Sequence, residues 1–205
     1  MTGLELVGFG ALPPSGAPLL DGSESDGTNS IGGGIGWFSG GGATLANTSS
    51  PAPDGTNTAY TLTEDSGGGR HMAYSYTGTI SGGVSASAYL KDISRRYAML
   101  HYEDNSSDDF TNSIFAFVDL VTGTITDSGS TGTMVLNSVT IEAAVGGFYK
   151  ITMNGTQVNT RGGTFNIHLS QEATKAASSI DYHGQPAYTG DGASSIYVWR
   201  PKVVD

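Results

Sequence analysis

The chain has 205 residues, no cysteine, and a formal net charge of −10 from nine basic and nineteen acidic groups. The missing cysteines exclude disulfides, thiolate metal centres and thiol nucleophiles. The acidic balance opposes nucleic acid or anionic lipid as partner, since both need clustered Lys and Arg.

Residues 1–35 form a segment apart, with Pro, Gly and Ser mixed among isolated apolar residues and no regular period. Such a stretch cannot bury a core of its own. Leu4, Leu6, Val7, Phe9, Leu12, Leu19 and Leu20 make it more apolar than a spacer, so it reads as a tail or as an arm that docks on a partner. It lacks the basic start and apolar run of a secretory signal. Nowhere does the sequence hold an apolar run long enough for a membrane helix.

Residues 36–205 read as one domain. Gly, at 31 residues, is about twice its ordinary share, and only 14% of residues are charged. That composition favours sheets and tight turns. Strands are predicted at 43–47, 58–63, 71–77, 84–91, 96–103, 113–120, 134–142, 147–153, 164–170 and 195–200. In "VSASAYLK" Val84, Ala86, Ala88 and Leu90 alternate with Ser85, Ser87, Tyr89 and Lys91, the period of a half-buried strand. "TFNIHLS" repeats the pattern, and "SIFAFVDL" is apolar on both faces, as a central strand should be. Asp54-Gly55, Thr122-Gly123, Asn154-Gly155 and Asp191-Gly192 mark turns between them. "EATKAASSI" is the one candidate helix, of one or two turns. Pro201 is expected to stop the final strand, in which Ile196, Val198 and Trp199 pair with an early strand. About ten short antiparallel strands without a substantial helix predict an all-β sandwich or barrel.

Three groups of residues invite a chemical reading. The acidic stretch "EDNSSDD" holds Glu103, Asp104, Asp108 and Asp109, either a cation site or a solvated hairpin tip. Glu64, Asp65 and Asp191 could share a structural calcium between the two ends of the domain, although Asp191 before Gly192 equally serves a turn. Tyr89, Tyr97, His101, Tyr102, Asn166 and His168 lie on strands and supply the rings and polar edges on which sugars stack and bond; the competing reading makes the tyrosines core residues with a wet hydroxyl. Nothing matches a catalytic motif. No G-x-S-x-G elbow is present, His71, His101, His168 and His183 show no metal-ligand spacing, and carboxylate pairs are too common to mark a glycosidase.

In order along the chain, five stretches resemble the carbohydrate-binding-module-like jelly-roll domain of tailed-phage virion proteins. They are "WFSGGGATLANTSSPAPDGTNTAYTLTEDSGGGRH", "ASAYLKDISRRYAML", "AFVDLVTGTI", "GGFYKITM" and "YTGDGASSIYVWRP". Tyr97 and Phe148 depart from the family's commoner Trp, and Arg200-Pro201-Lys202 from its usual closing residues. The resemblance implies a jelly-roll sandwich on the virion surface, with the arm docked on a capsid or tail protein. The expected role is a head-decoration or head-fibre structural protein giving weak attachment to host glycan. A glycan-binding module of the tail is the alternative, and a capsule-degrading glycosidase ranks behind both. No enzymatic activity and no cofactor beyond the calcium is expected, and a homo-oligomer, by preference a trimer, fits such display.

Overall fold

Period-2 alternation emerges as fourteen strands in a computed structural model that describes residues 37–104, 112–181 and 183–204. Six of them form a first sheet in the order β1 (Phe38–Gly40), β5 (Met72–Tyr76), β12 (Gly163–Ser170), β7 (Tyr97–Asp104), β8 (Ser113–Asp119) and β9 (Thr124–Thr131). A second sheet runs β10 (Val135–Ala143), β11 (Tyr149–Arg161), β6 (Ile80–Asp92), β14 (Ser195–Val204), β3 (Ala59–Glu64) and β2 (Ala43–Ser50). The short β4 (Gly68–Gly69) and β13 (Tyr188–Thr189) make a ribbon of their own.

Among the described residues all strand pairing is antiparallel, and three of the pairs nest one inside another. Early strands take late partners: β3 with β14, β5 with β12, β6 with β11. A long hairpin rolled over itself gives this order, so the sandwich is a jelly roll. Its core draws on both sheets. Leu62, Leu90, Ile151, Met153 and Val198 of the second meet Leu100, Tyr102, Ile114, Phe165 and Ile167 of the first, all buried. Each such aliphatic or aromatic side chain contributes roughly 1.5–3 kcal/mol by leaving water.

Three local expectations change. Pro201 does not stop β14, which continues to Val204. Instead the register slips between Trp199 and Lys202 and Arg200 takes a φ of 43°, so the proline sits at a bulge, where its missing N–H costs no ladder bond. "EATKAASSI" forms turns and no helix. β9 lies beyond the predicted strands: Ser, Asp and Gly fill half of "TITDSGST", its residues 127–130, and suit strands poorly. The docking arm with Leu4, Leu6, Val7, Phe9 and Leu12, and Asp108 and Asp109 of the acidic stretch, lie outside the described residues.

Candidate functional site

The residues singled out from sequence fall into three places. The first is a knot at one end of the sandwich. Glu64, at the end of β3, is buried, and its Oε1 accepts from Arg95 Nη2 at 2.5 Å and from the Asp191 amide at 2.9 Å. Its Oε2 accepts from the Tyr188 hydroxyl at 2.7 Å. Burial and this carboxylate together push the Tyr188 phenol well above its ordinary range. Asp191 accepts from the Ser194 hydroxyl and from the amides of Ser194 and Ala193, which hold it well below the usual carboxylate range. Asp65 accepts from the Gly67 amide, and His71 directs its two ring nitrogens at the carbonyls of Gly42 and Tyr188. The Glu64 and Asp191 carboxylates therefore share a guanidinium, with Arg95 Nη2 3.6 Å from Asp191. Gly190 is required here, because a Cβ would lie 2.0 Å from the Asp65 carbonyl. The knot stitches the start of the domain to its end.

The second place is the outer face of the first sheet. Asn166 and His168 of β12 point away from the core, opposite His101 and Met99 of β7. They do not reach solvent. Residues 171–181 and 183–187 cross this face and roof it. The Lys175 amide donates to Asp127 at 2.8 Å, the Thr126 hydroxyl to the Ala173 carbonyl at 2.5 Å, and Lys175 Nζ sits 4.7 Å from the centre of the Phe115 ring. Beneath the roof, Gln185 Nε2 and Asn166 Nδ2 both approach His101 Nδ1 and both donate to Glu103. Two donors on one ring nitrogen require it unprotonated, and burial lowers His101 to about 3. Burial raises Glu103 to about 7. Arg70 ties the roof down through Gln185 and Asp181. His168 is fully buried between Met72 and Met99, with no hydrogen-bond partner on either ring nitrogen.

Three of the expected sugar-binding residues, His101, Asn166 and His168, are thus together but sealed. Tyr102 is corrected outright: it points into the core with no exposed surface, and its hydroxyl donates to the buried Gln157. Tyr97 lies at the sheet's rim under Arg96. Glu103 and Asp104 are buried in β7 rather than set in a solvated tip. A cleft of about 200 Å³ beside the roof, lined by Ser170, Glu172, Pro186 and Tyr188 among others, is smaller than ordinary ligand sites.

The third place is the outer face of the second sheet, and it is open. Cross-strand partners share a face, so the register builds rows. One row is Trp199, Tyr89, Lys150 and Glu142; the next is Lys202, Ser87, Thr152 and Thr140; a third holds Ser85, Asn154 and Ser138. On the other side of the Tyr89 row stand Tyr197 and Lys91. Tyr89 packs edge-on against Trp199, with ring centres 5.0 Å apart, and Arg200 stacks on the far ring at 4.4 Å. Lys91 donates to the Gly146 carbonyl and lies near the Phe148 and Tyr197 rings. Asn154 donates to Ser138 across the strands. Half-exposed aromatic side chains backed by packed rings, bordered by hydroxyls, an amide and ammonium groups, can stack a sugar and bond its hydroxyls. Of the six expected residues only Tyr89 belongs here. The alternation of "VSASAYLK" placed Ser85, Ser87 and Lys91 beside it on the polar side; Lys150, Thr152, Asn154 and Lys202 could be added only once the strand neighbours were known.

No family model and no curated protein matches the chain. Among solved structures, the carbohydrate-binding module CBM66 from Bacillus subtilis matches at 14% identity and a TM-score of 0.37, over 87% of this chain and 98% of that one. The assignment of the site rests on this chain's own residues.

Proposed function

We propose that this chain is a non-catalytic glycan-binding domain displayed on the surface of a tailed-phage particle. The open face of the second sheet carries the binding part of this reading: a ring platform at Tyr89 within a field of Ser, Thr, Asn and Lys side chains. The virion setting is supported by the five ordered stretches that resemble phage jelly-roll domains, and by an apolar arm suited to docking on a capsid or tail protein. The face's chemistry supports the non-catalytic part of the reading. Glycoside hydrolysis takes two carboxyl groups across the scissile bond, and among the described residues Glu142 is the one carboxylate in these rows. A single shallow face binds weakly, and many copies on one particle turn weak contacts into adhesion.

Two measurements test the halves separately. A multimerised form of the chain is expected to retain surface polysaccharide, and Tyr89→Ala to abolish retention without changing the melting temperature by more than a few degrees. No retention by the native chain sinks the binding half. Gold-labelled antibody against the chain is expected to decorate intact particles; bare particles sink the virion half.

A further inference from the structure

A sheet edge presents a row of unpaired amides and carbonyls that can pair with any extended chain. Folded proteins protect such edges by shortness, bulges, proline or a covering segment. The sandwich has four edges. β1 is three residues long. β2 is bent by a bulge at Ser49, where φ is 53°, and is followed at once by Pro51; the chain also enters the domain on this side, at Trp37. β9 carries a bulge between Ile125 and Asp127, and the roof is bonded to it there through Ala173 and Lys175. β10 is different. Past one bulge at Asn137 it pairs regularly with β11 from Ser138 to Ala143, and among the described residues no hydrogen bond reaches its other edge. Half of those six residues are β-branched, none is proline and Glu142 is their one charge.

The inward side chains of this stretch are unfinished. Val139 and Ile141 stand opposite Met153 and Ile151 of β11 and pack on the core. The two β11 residues are fully buried, whereas both β10 residues stay partly exposed. The stretch is also complementary to itself. Antiparallel partners share a face, so a two-fold axis through Thr140 sets Thr140 against Thr140, Ser138 against Glu142 and Val139 against Ile141. The glutamates stay apart, and each inward β-branched residue covers another where its own sheet leaves it half open.

The geometry points to a homodimer in which β10 pairs antiparallel with β10 of a second copy about this axis. A two-fold contact is closed, so it gives a pair rather than the trimer that the resemblance favours. Residues 1–35 are the less favoured occupant of the edge. They enter at β1, at the far end of the first sheet, five strand spacings or about 24 Å from the β9 end. Pairing joins the two second sheets into one of twelve strands and sets both Tyr89 platforms on the same face. Tyr89 lies on the second strand in from β10, so the platforms stand roughly 25–30 Å apart by strand spacing and rise.

The test uses the full chain, which has no cysteine of its own. In Thr140→Cys the two thiols meet across the axis, where opposed Cα atoms lie about 4.5–5.5 Å apart, within reach of a disulfide. Mild oxidation is expected to link most of the protein as dimers. Val158→Cys, 64% exposed on the far part of β11, is the control and should link little. Register has its own check. Ser138→Cys and Glu142→Cys should each fail to self-link, since like positions fall about 13 Å apart along the strands, and should link to each other when mixed. Sedimentation of the native chain is expected to show doubled mass at high concentration. Thr140→Lys opposes two ammonium groups on the axis and should weaken self-association roughly tenfold or more, with the melting temperature of the dilute protein unchanged. Native protein that stays monomeric at every concentration overturns the inference. Equal linking at positions 140 and 158 marks random collision and overturns it as well. An oligomer that forms without linking at position 140 uses another surface and also overturns it. None of these readouts involves a glycan, so their failure leaves the glycan-binding reading standing.

Discussion

The two outer faces of the sandwich come from strands with the same alternating pattern, and they meet opposite fates. On the second sheet the polar side of β6 and β11 stays open, and Ser87, Tyr89, Lys150 and Thr152 are half-exposed. On the first sheet the polar side of β12, and of β7 beyond Tyr97, is buried beneath residues 171–181 and 183–187. Alternation tells which side of a strand faces away from the core; it does not tell whether that side reaches water. Under the roof, polar groups are costly unless bonded, so Gln185, Asn166, Arg70 and Glu103 form a network there. On the open face the same residue types stay available to a partner. The covered face should therefore answer to substitution in stability and the open face in binding.

The largest separation is expected at Phe117, which is fully buried with Met99 and Phe115 on the roofed side of β8. Phe117→Ala should cost about 3–5 kcal/mol in urea unfolding. A cost below about 1.5 kcal/mol would mean that the roof does not pack against the sheet, and the contrast between the faces would collapse.

Acidity should act through the same covered face. His101 is lowered to about 3 and His168 well below the ordinary histidine value, both by burial, while burial raises Glu103 to about 7. Between pH 6.5 and 4.5 the unfolded chain protonates both histidines, and the folded chain holds one extra proton on Glu103. Two protons against one leaves a net proton favouring unfolding. Stability from these three groups should fall by about 1.4 kcal/mol per pH unit across that window. Between pH 6.5 and 7 Glu103 alone acts and the slope reverses. Melts at half-unit pH steps check this, and a flat profile below pH 6.5 would contradict the buried, neutral histidines.

His168→Leu isolates one of those groups. The imidazole lies between Met72 and Met99 with both nitrogens unpartnered, so a leucine of similar volume removes a desolvation penalty and completes an apolar row. We expect a gain of about 1–3 kcal/mol and a nearly level profile between pH 4.5 and 6.5, because one histidine then balances Glu103. A loss of stability would reveal a partner for the ring, such as an enclosed water.

The fold was largely legible because its signals are local. The alternation at Val84–Lys91, the apolar run at Ile114–Val118 and the Asp191-Gly192 turn each carry their own physical reason. The site was less legible because it depends on register and on chain crossings. Tyr102 and His101 are adjacent in sequence, yet one enters the core and the other faces the roof. Nothing in "QEATKAASSID" or "HGQPA" shows that these stretches lie across β12 and β7, since their anchors are a backbone amide on Asp127 and a glutamine on Glu103. Nor does "GGFYKITM" show that Lys150 will stand beside Tyr89, a pairing that appears only when β11 meets β6.

The smallest expected effect is on the open face, and its smallness carries the comparison. Lys150→Gln and Thr152→Ala change half-exposed side chains with no internal bond to lose. Surface changes of this kind stay within about 0.5 kcal/mol, so the urea midpoint should not move measurably while retention of surface polysaccharide weakens. The matched change under the roof is Asn166→Ala, which removes a donor to both Glu103 and His101 and should cost about 1–3 kcal/mol. If Lys150→Gln instead cost more than 1 kcal/mol, the lysine would be compensating Glu142 in the fold. Lys150 would then belong to the fold rather than to the binding face, and the contrast between the two faces would weaken.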